Sequence, residues 1–353
     1  MGPAPRGPVL EERLKAKALE RLGRLRGVRR PATEDVFERL AYVFPRDLSV
    51  AGYPREPRAA FNPGALLRGG KLLVFPRLVF DYYGYTSSVG LFEVGVEELL
   101  SGSLSKPVEA RILLWPRELW EFKGCEDARA SQLGGRVQLL YTGYGYHRRG
   151  EGLELRWVQG FAELDEGLRE VRRGFFTVAG GGERLAPRMK DSALLRFSGG
   201  RAFLLCRPTL DGLQVCWRAE ADAGSLEIPE ESMEPVLAHE EWETHVGWST
   251  NAVQLSANEW LVGWHGVLKS DLSYRNGLAV VDGEGRLLAV SDYLLVPKGL
   301  VEEYGDRPLV VFGCGLARYK ELLLWVGGVS DYAIGFFAAE LDKVLEKLRW
   351  LSA

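Results

Sequence analysis

Large apolar side chains along this chain gather into short, dense runs. Five of them share one design, a polar or charged opening followed by Leu, Val and aromatic residues. They are KLLVFPR from Lys71, RVQLLYTGY from Arg136, RAFLLCRP from Arg201, EWLVGWHGV from Glu259 and KELLLWVGG from Lys320. The openings recur about every 60 residues. Each run is short, β-branched or aromatic, and bounded by Gly or turn residues, so each predicts a buried strand. Further strand-like runs lie between them, such as LELRWVQGFAEL and GLAVVDGEGRLLAVS. Four strands with their turns fill about 60 residues, the length of a long propeller blade. The pattern therefore predicts an all-β fold, a five-bladed β-propeller over residues 51–353 behind an N-terminal helical extension over 1–50. Parallel βαβ architecture is disfavoured, because amphipathic helical runs are missing between the strands.

Helical spacing is confined to the ends. LEERLKAKALERLGRLRG predicts one helix, and TEDVFERLAYVF behind Thr33 predicts a second, with Glu34 and Asp35 suited to its start. FFAAELDKVLEKLRWL predicts a closing C-terminal helix. The first helix reads equally as a cap on the β-domain and as a contact for a homo-oligomer.

The repeat carries a second signal. Asn62 stands nine residues ahead of Lys71, Asp127 nine ahead of Arg136, Asp191 ten ahead of Arg201 and Thr250 nine ahead of Glu259. If the repeated apolar strand is the innermost of its unit, this offset gathers the four residues around one funnel. A funnel with Asp, Asn, Arg, Lys and aromatic groups suits a polar, hydroxyl-rich ligand. In GCEDARASQLGGRVQLLYTGY, Glu126, Asp127 and Arg129 stand at the mouth of a buried strand, where charge is costly unless paired or used.

Composition narrows the function classes. The formal net charge is −3 and 26% of residues are charged, without the basic stripe of a nucleic-acid-binding protein. The four cysteines, at 125, 206, 216 and 314, form no CxxC pair, so structural zinc and a disulfide framework are not expected and a reducing cytoplasm is. The N-terminus has no apolar leader and no run is long enough to span a membrane. GxSxG, GxxxxGK[ST] and HExxH are absent, and no ligand cluster calls for a metal.

Carboxylates with aromatic platforms fit glycoside chemistry, in which a carboxylic acid protonates the leaving oxygen. Tyr82, Tyr83, Tyr85, Tyr141, Tyr144, Trp242, Trp248 and Trp264 are candidates to stack on sugar faces. Each feature also has a plainer reading: Asp at a strand entry as a turn residue, Lys190 with Asp191 as a solvated pair, His265 as a hydrogen-bonded core histidine, the aromatic residues as core.

The same segments, in order, resemble glycoside hydrolase family 130, the β-mannoside phosphorylases and related mannosidases, from about residue 59 to residue 342. FNPGALLRGGKLLVFPR is similar to the family's Phe-Asn-Pro segment, and GCEDARASQLGGRVQLLYTGY to its Glu-Asp-Pro-Arg motif. MKDSALLRFSGGRAFLLCRP is similar to its Lys-Asp segment ending in Arg-Pro. WETHVGWST, WLVGWHGV, YRNGLAVVD, VVFGCG and WVGGVSDYAIG follow in order. The resemblance implies inverting phosphorolysis of β-mannosides or short β-1,4-manno-oligosaccharides to mannose 1-phosphate. Asp127 falls on the general acid. Asn62, Arg77, Ser87, Asp191, His265 and Asp331 become substrate contacts, and Arg129, Arg148, Lys190 and Arg207 a phosphate cradle. Inorganic phosphate is then a co-substrate, and no cofactor is expected.

Three positions depart from the family pattern. Ala128 replaces the motif's Pro, Ser88 stands where many members have Arg, and Cys206 stands where phosphorylases often carry a His thought to touch phosphate. An inverting hydrolase with Asp191 or Glu126 as base is therefore one alternative, and a carbohydrate-binding propeller without turnover is the other.

Overall fold

The computed structural model describes residues 9–149 and 151–351; residues 1–8, part of the stretch read above as lacking an apolar leader, lie outside the described residues. Helix α1, Leu10–Leu25, leads into strand β1, Glu38–Val43. Five antiparallel units follow. The first holds β2 (Ala59–Arg68), β3 (Lys71–Val79) and β4 (Ser87–Gly95). The second holds β5 (Gly124–Leu133), β6 (Arg136–Arg149) and β7 (Gly152–Leu164). The third holds β8 (Met189–Ser198), β9 (Arg201–Leu210) and β10 (Cys216–Asp222). The fourth holds β11 (Glu243–Ser256), β12 (Glu259–Leu268) and β13 (Tyr274–Asp282). The last holds β14 (Val311–Tyr319), β15 (Leu322–Val329) and β16 (Ala333–Glu340), with β1 hydrogen-bonded to β16 as its outer strand.

The five apolar runs of the sequence are β3, β6, β9, β12 and β15, and they are second in their units, not innermost as expected. Each reads as an unbroken apolar run because both of its faces are buried. In β3, Leu73 and Phe75 pack toward the second unit with Leu139 and Tyr141, while Leu72 and Val74 pack toward the last with Val326 and Phe336. Comparable cores join units two and three through Phe161 and Leu204, three and four through Leu205 and Trp264, and four and five through Leu278 and Trp325.

The first strands do the gathering. β2 lies against β5, β5 against β8, β8 against β11, β11 against β14, and β14 against β2. Backbones come very close there: a Cβ on Gly64 would stand 2.2 Å from the Ala128 carbonyl oxygen, and one on Gly315 2.6 Å from the Ala65 Cβ. Only glycine permits that approach.

Two expected helices are corrected. Within TEDVFERLAYVF the chain is extended from Glu38 to Val43, because pairing with the open edge of β16 supplies hydrogen bonds that a helix would otherwise make internally. The Asp35–Arg39 pair, suggestive of helical spacing, forms at 2.6 Å across this extended segment. At the C-terminus, FFAAE belongs to β16; only Leu341–Leu345 is helical, and Arg349–Trp350 is again a strand. Helix α1 does form. Leu10, Leu14 and Ala18 pack on the third unit beside Met189 and Leu204, and Arg13 binds Glu230 at 2.8 Å. No helix among the described residues is long and apolar enough to cross a membrane.

Candidate active site

The offset residues sit at one repeated irregularity in the first strands. In β2 the register slips between Phe61 and Gly64, in β5 between Glu126 and Arg129, in β8 between Lys190 and Ala193, and in β11 between Trp248 and Ala252. An extra residue at such a bulge leaves the ladder and re-aims its side chain. Asn62, Asp127 and Asp191 occupy it with φ of 45°, 51° and 54°. Asn and Asp tolerate this left-handed region better than other non-glycine residues, so backbone and chemistry select the same residue types.

The three bulges meet. Asn62 donates its Nδ2 to Asp127 Oδ1 at 3.1 Å, and Asn62 Oδ1 is buried against Gly328 without a hydrogen-bond partner among the described residues. Arg77 donates Nε to Ser87 Oγ (2.8 Å) and Nη2 to Glu126 Oε1 (2.9 Å), while its Nη1 lies 3.6 Å from Asp127 Oδ1. A parallel bridge from Ser87 to Gly124 fixes that serine beside the Glu126 strand. Among the described residues, Asp127 Oδ2 accepts no hydrogen bond.

Arg129 is spent inside the protein, contrary to its expected place in an anion cradle. Its Nε goes to the Ser249 carbonyl (2.8 Å), Nη1 to the Asp127 carbonyl (2.7 Å) and Nη2 to Asp191 Oδ1 (3.0 Å). Arg207 donates Nε to Asp191 Oδ2 at 2.8 Å and also its Nη2, leaving Nη1 buried and without a partner among the described residues. Burial alone would raise the Asp191 carboxyl, but the Arg207 and Arg129 guanidiniums overcome it and hold the group well below the usual carboxylate range. Asp191 is thus an organiser on β8 that ties one arginine from β5 and one from β9.

The Lys190 ammonium makes no hydrogen bond or ion pair among the described residues; burial pulls it down, with Asp191 opposing. Burial raises Glu126, against the pull of Arg77. Asp331, in the turn after β15 at φ 51°, feels Arg307, Asp127 and Arg77, and burial pushes its carboxyl up to about 6. His265 is buried, shares a 3.0 Å hydrogen bond with Ser249 Oγ and stacks on Tyr274 with ring centroids 5.4 Å apart. Burial holds it neutral.

Several expectations change. Arg148 is exposed near the tip of the β6–β7 hairpin, six residues past Thr142, which pairs with Glu126; at strand rise that is about 20 Å from the cluster. Thr250 turns its hydroxyl to the Asn251 carbonyl and accepts the Gly263 N–H, so the fourth bulge contributes structure only. Tyr141, Trp248 and Trp264 are buried core and unavailable for stacking on a ligand.

His245 and Arg307 escaped the sequence reading. Burial lowers His245 to about 4, and Arg207, Asp191, Lys190 and Arg307 all act on it, which places it among the cluster's charges. Arg307 lies over the Tyr274 ring at 4.6 Å. Neither falls at the repeated offset; the quoted segment WETHVGWST held His245, but nothing in its spacing marked it. Among the described residues no group of three or more His, Cys, Asp or Glu is placed to hold a metal, and the four cysteines are free and buried.

A family model described as beta-1,4-mannooligosaccharide phosphorylase matches residues 27–350. A beta-1,2-mannobiose phosphorylase of Thermoanaerobacter sp. is 24% identical over 308 residues, covering 82% of this chain and 92% of that one. The Listeria innocua beta-1,2-mannobiose phosphorylase, solved with beta-1,2-mannobiose, superposes with a TM-score of 0.62 at 18% identity over 86% of this chain and 96% of its own. A mannose phosphorylase from Leishmania mexicana, solved with a phosphate ion, gives 0.58 at 14% identity over 97% of each chain.

Proposed function

Because the chain belongs to glycoside hydrolase family 130, a family of mannoside phosphorylases and related hydrolases, we propose that it cleaves a β-mannoside by inverting phosphorolysis on a five-bladed β-propeller. The closed order of contacts among the five first strands supports the propeller. The free, buried cysteines support a reducing cytoplasm as its setting.

Asp127 is the general acid. Its Oδ1 is held by Asn62, and its Oδ2 remains to carry the proton toward the glycosidic oxygen, directly or through a sugar hydroxyl. As that bond breaks, a phosphate oxygen attacks the anomeric carbon from the opposite face. The proton ends on the departing sugar and the phosphate on the mannose. Phosphate is anionic at neutral pH and needs no base; it needs a cationic seat. Lys190 and the free Nη1 of Arg207 provide one, with His245 as a neutral donor and Arg307 at its edge. These unspent donors beside Asp127 are the observation that carries the proposal. Asn62 holds the acid in place, and Asp331 meets the hydroxyls of the mannose ring.

Incubation with β-1,4- and β-1,2-mannobiose, with and without phosphate, tests it by ³¹P NMR. Phosphate-dependent mannose 1-phosphate is expected, and the faster substrate assigns the linkage. Mannose released equally in both tubes would reject phosphorolysis for hydrolysis, a reading that the raised Glu126 carboxyl favours as its base. Binding without release would leave a lectin.

A further inference from the structure

The five first strands surround a second space, at the end away from their bulges. It holds about 770 Å³, and each strand contributes residues that follow its bulge, among them Leu66 of β2, Leu133 of β5, Val253 of β11 and Ala317 of β14. Arg196 lines it from β8, five residues past Asp191 and so about 17 Å along the strand from that carboxylate. Between the two positions the strands close on one another. Asn251 donates Nδ2 to the Leu316 carbonyl (3.0 Å) and accepts the Leu316 N–H (2.8 Å), and Gly64 and Gly315 bring backbones into contact. This space is therefore distinct from the Asp127 cluster.

Its chemistry is one-sided. Arg196 and Arg318 bring two cations and Gln132 and Gln254 two amides, while among the described residues no Asp or Glu lines it. Arg196 is held in place: Nε donates to the Gly283 carbonyl at 2.7 Å, and the guanidinium lies over the Phe203 ring at 4.0 Å. Its two Nη groups make no hydrogen bond among the described residues. A guanidinium fixed in this way loses little freedom when an anion meets its edge. Arg318 makes one long contact, from Nε to the Lys320 carbonyl at 3.4 Å, and no ion pair among the described residues. A cavity walled by Arg117, Arg172 and Arg173 shows the opposite arrangement, since Glu170 there binds both Arg117 and Arg173.

We propose that this space binds a small organic phosphate, a dianionic phosphate monoester on an apolar or aromatic body. Two arginines from separate strands answer its two charges, and their N–H forks fit phosphate oxygens. Leu66, Leu133 and Val253 cover the body. Inorganic phosphate would leave those walls unused, and a monocarboxylate would leave one arginine without a counter-charge. The site goes beyond the reaction proposed above and does not depend on it.

Isothermal titration of the full-length protein with phenyl phosphate tests this, with inorganic phosphate and benzoate then added as competitors. Phenyl phosphate is expected to bind about tenfold more tightly than either competitor. Arg196→Gln and Arg318→Gln should each weaken it about tenfold, and Lys190→Met, at the other cluster, should leave it unchanged. Arg318→Gln gives up only one long contact within the protein, so it decides the matter if Arg196→Gln fails to fold. No binding of phenyl phosphate at millimolar concentration would overturn the site, as would a competitor that binds equally well. Loss of binding in Lys190→Met, with Arg318→Gln unaffected, would move the ligand to the Asp127 cluster and overturn it too.

Discussion

Two buried charge clusters in this protein look alike by burial and differ in what they leave over. One ties the N-terminal segment to the fourth unit. Arg29 donates to both carboxylate oxygens of Glu243, at 2.5 and 2.7 Å, and to the Ala238 carbonyl at 2.8 Å. Tyr293 donates to the same carboxylate, and Trp264 lies under the guanidinium at 4.3 Å. One donor is left over: Arg29 Nε makes no hydrogen bond among the described residues, although it stands 4.0 Å from Glu240 Oε1. The other cluster joins Asp191 to Arg129 and Arg207, and beside it Lys190, Arg207 Nη1 and Asn62 Oδ1 are unspent. Buried charge by itself marks a fastening as readily as a site. Several donors and acceptors left over around one set of carboxylates, against the single Nε of the first cluster, mark the site.

The contrast is most directly broken at Asp127. Asp127→Asn keeps shape and removes the proton, so kcat should fall about a thousandfold while the melting temperature stays within a degree or two of wild type. A large fall in melting temperature would make Asp127 a fastening too. The converse is Arg29→Met, which strands Glu243 in the interior and should cost about 3 kcal/mol in urea unfolding, with kcat per folded molecule unchanged. Lys190→Met should raise the KM for phosphate by roughly thirtyfold and that for the mannoside far less, because among the described residues the ammonium makes no hydrogen bond or ion pair that the substitution would break. An equal rise in both would move Lys190 to the sugar.

The smallest effect is on pH. Asp331 titrates at about 6 in the folded chain, above its ordinary value near 4. On the proposed sugar contact, the ionised form would accept hydroxyls more strongly, so KM for the mannoside should rise as pH falls through about 6, and Asp331→Asn should flatten that profile. The linked stability runs the other way. A carboxyl raised on folding favours the folded state at low pH, and that contribution fades as pH rises from about 4 through about 6. The wild-type melting temperature should therefore fall relative to that of the variant as pH rises across that window.

Much of this was legible in the sequence, for a physical reason. A repeat that buries both faces of its second strand must write continuous apolar runs, and a bulge in the left-handed region must write Asn or Asp at a constant offset. Asn62, Asp127 and Asp191 obey both constraints, so text alone brought them together. The fourth bulge obeyed the spacing but not the role, since Thr250 satisfies its own backbone. His245 and Arg307 were invisible because they reach the site from positions outside the repeat. The misread helix at 33–44 shows a different limit: its apolar residues fit either period, and the deciding partner, β16, lies at the far end of the chain.

That last pairing has a consequence for how the molecule is made. β1 ends at Val43, yet the strand it must join begins only at Ala333. The nascent chain therefore carries an unpaired, partly apolar ribbon while four whole units are made, and the final sheet is completed only when β16 emerges. Removing residues before Val43 would not trim a dispensable tail; it would strip the rim from the closing sheet and leave β16 a bare edge.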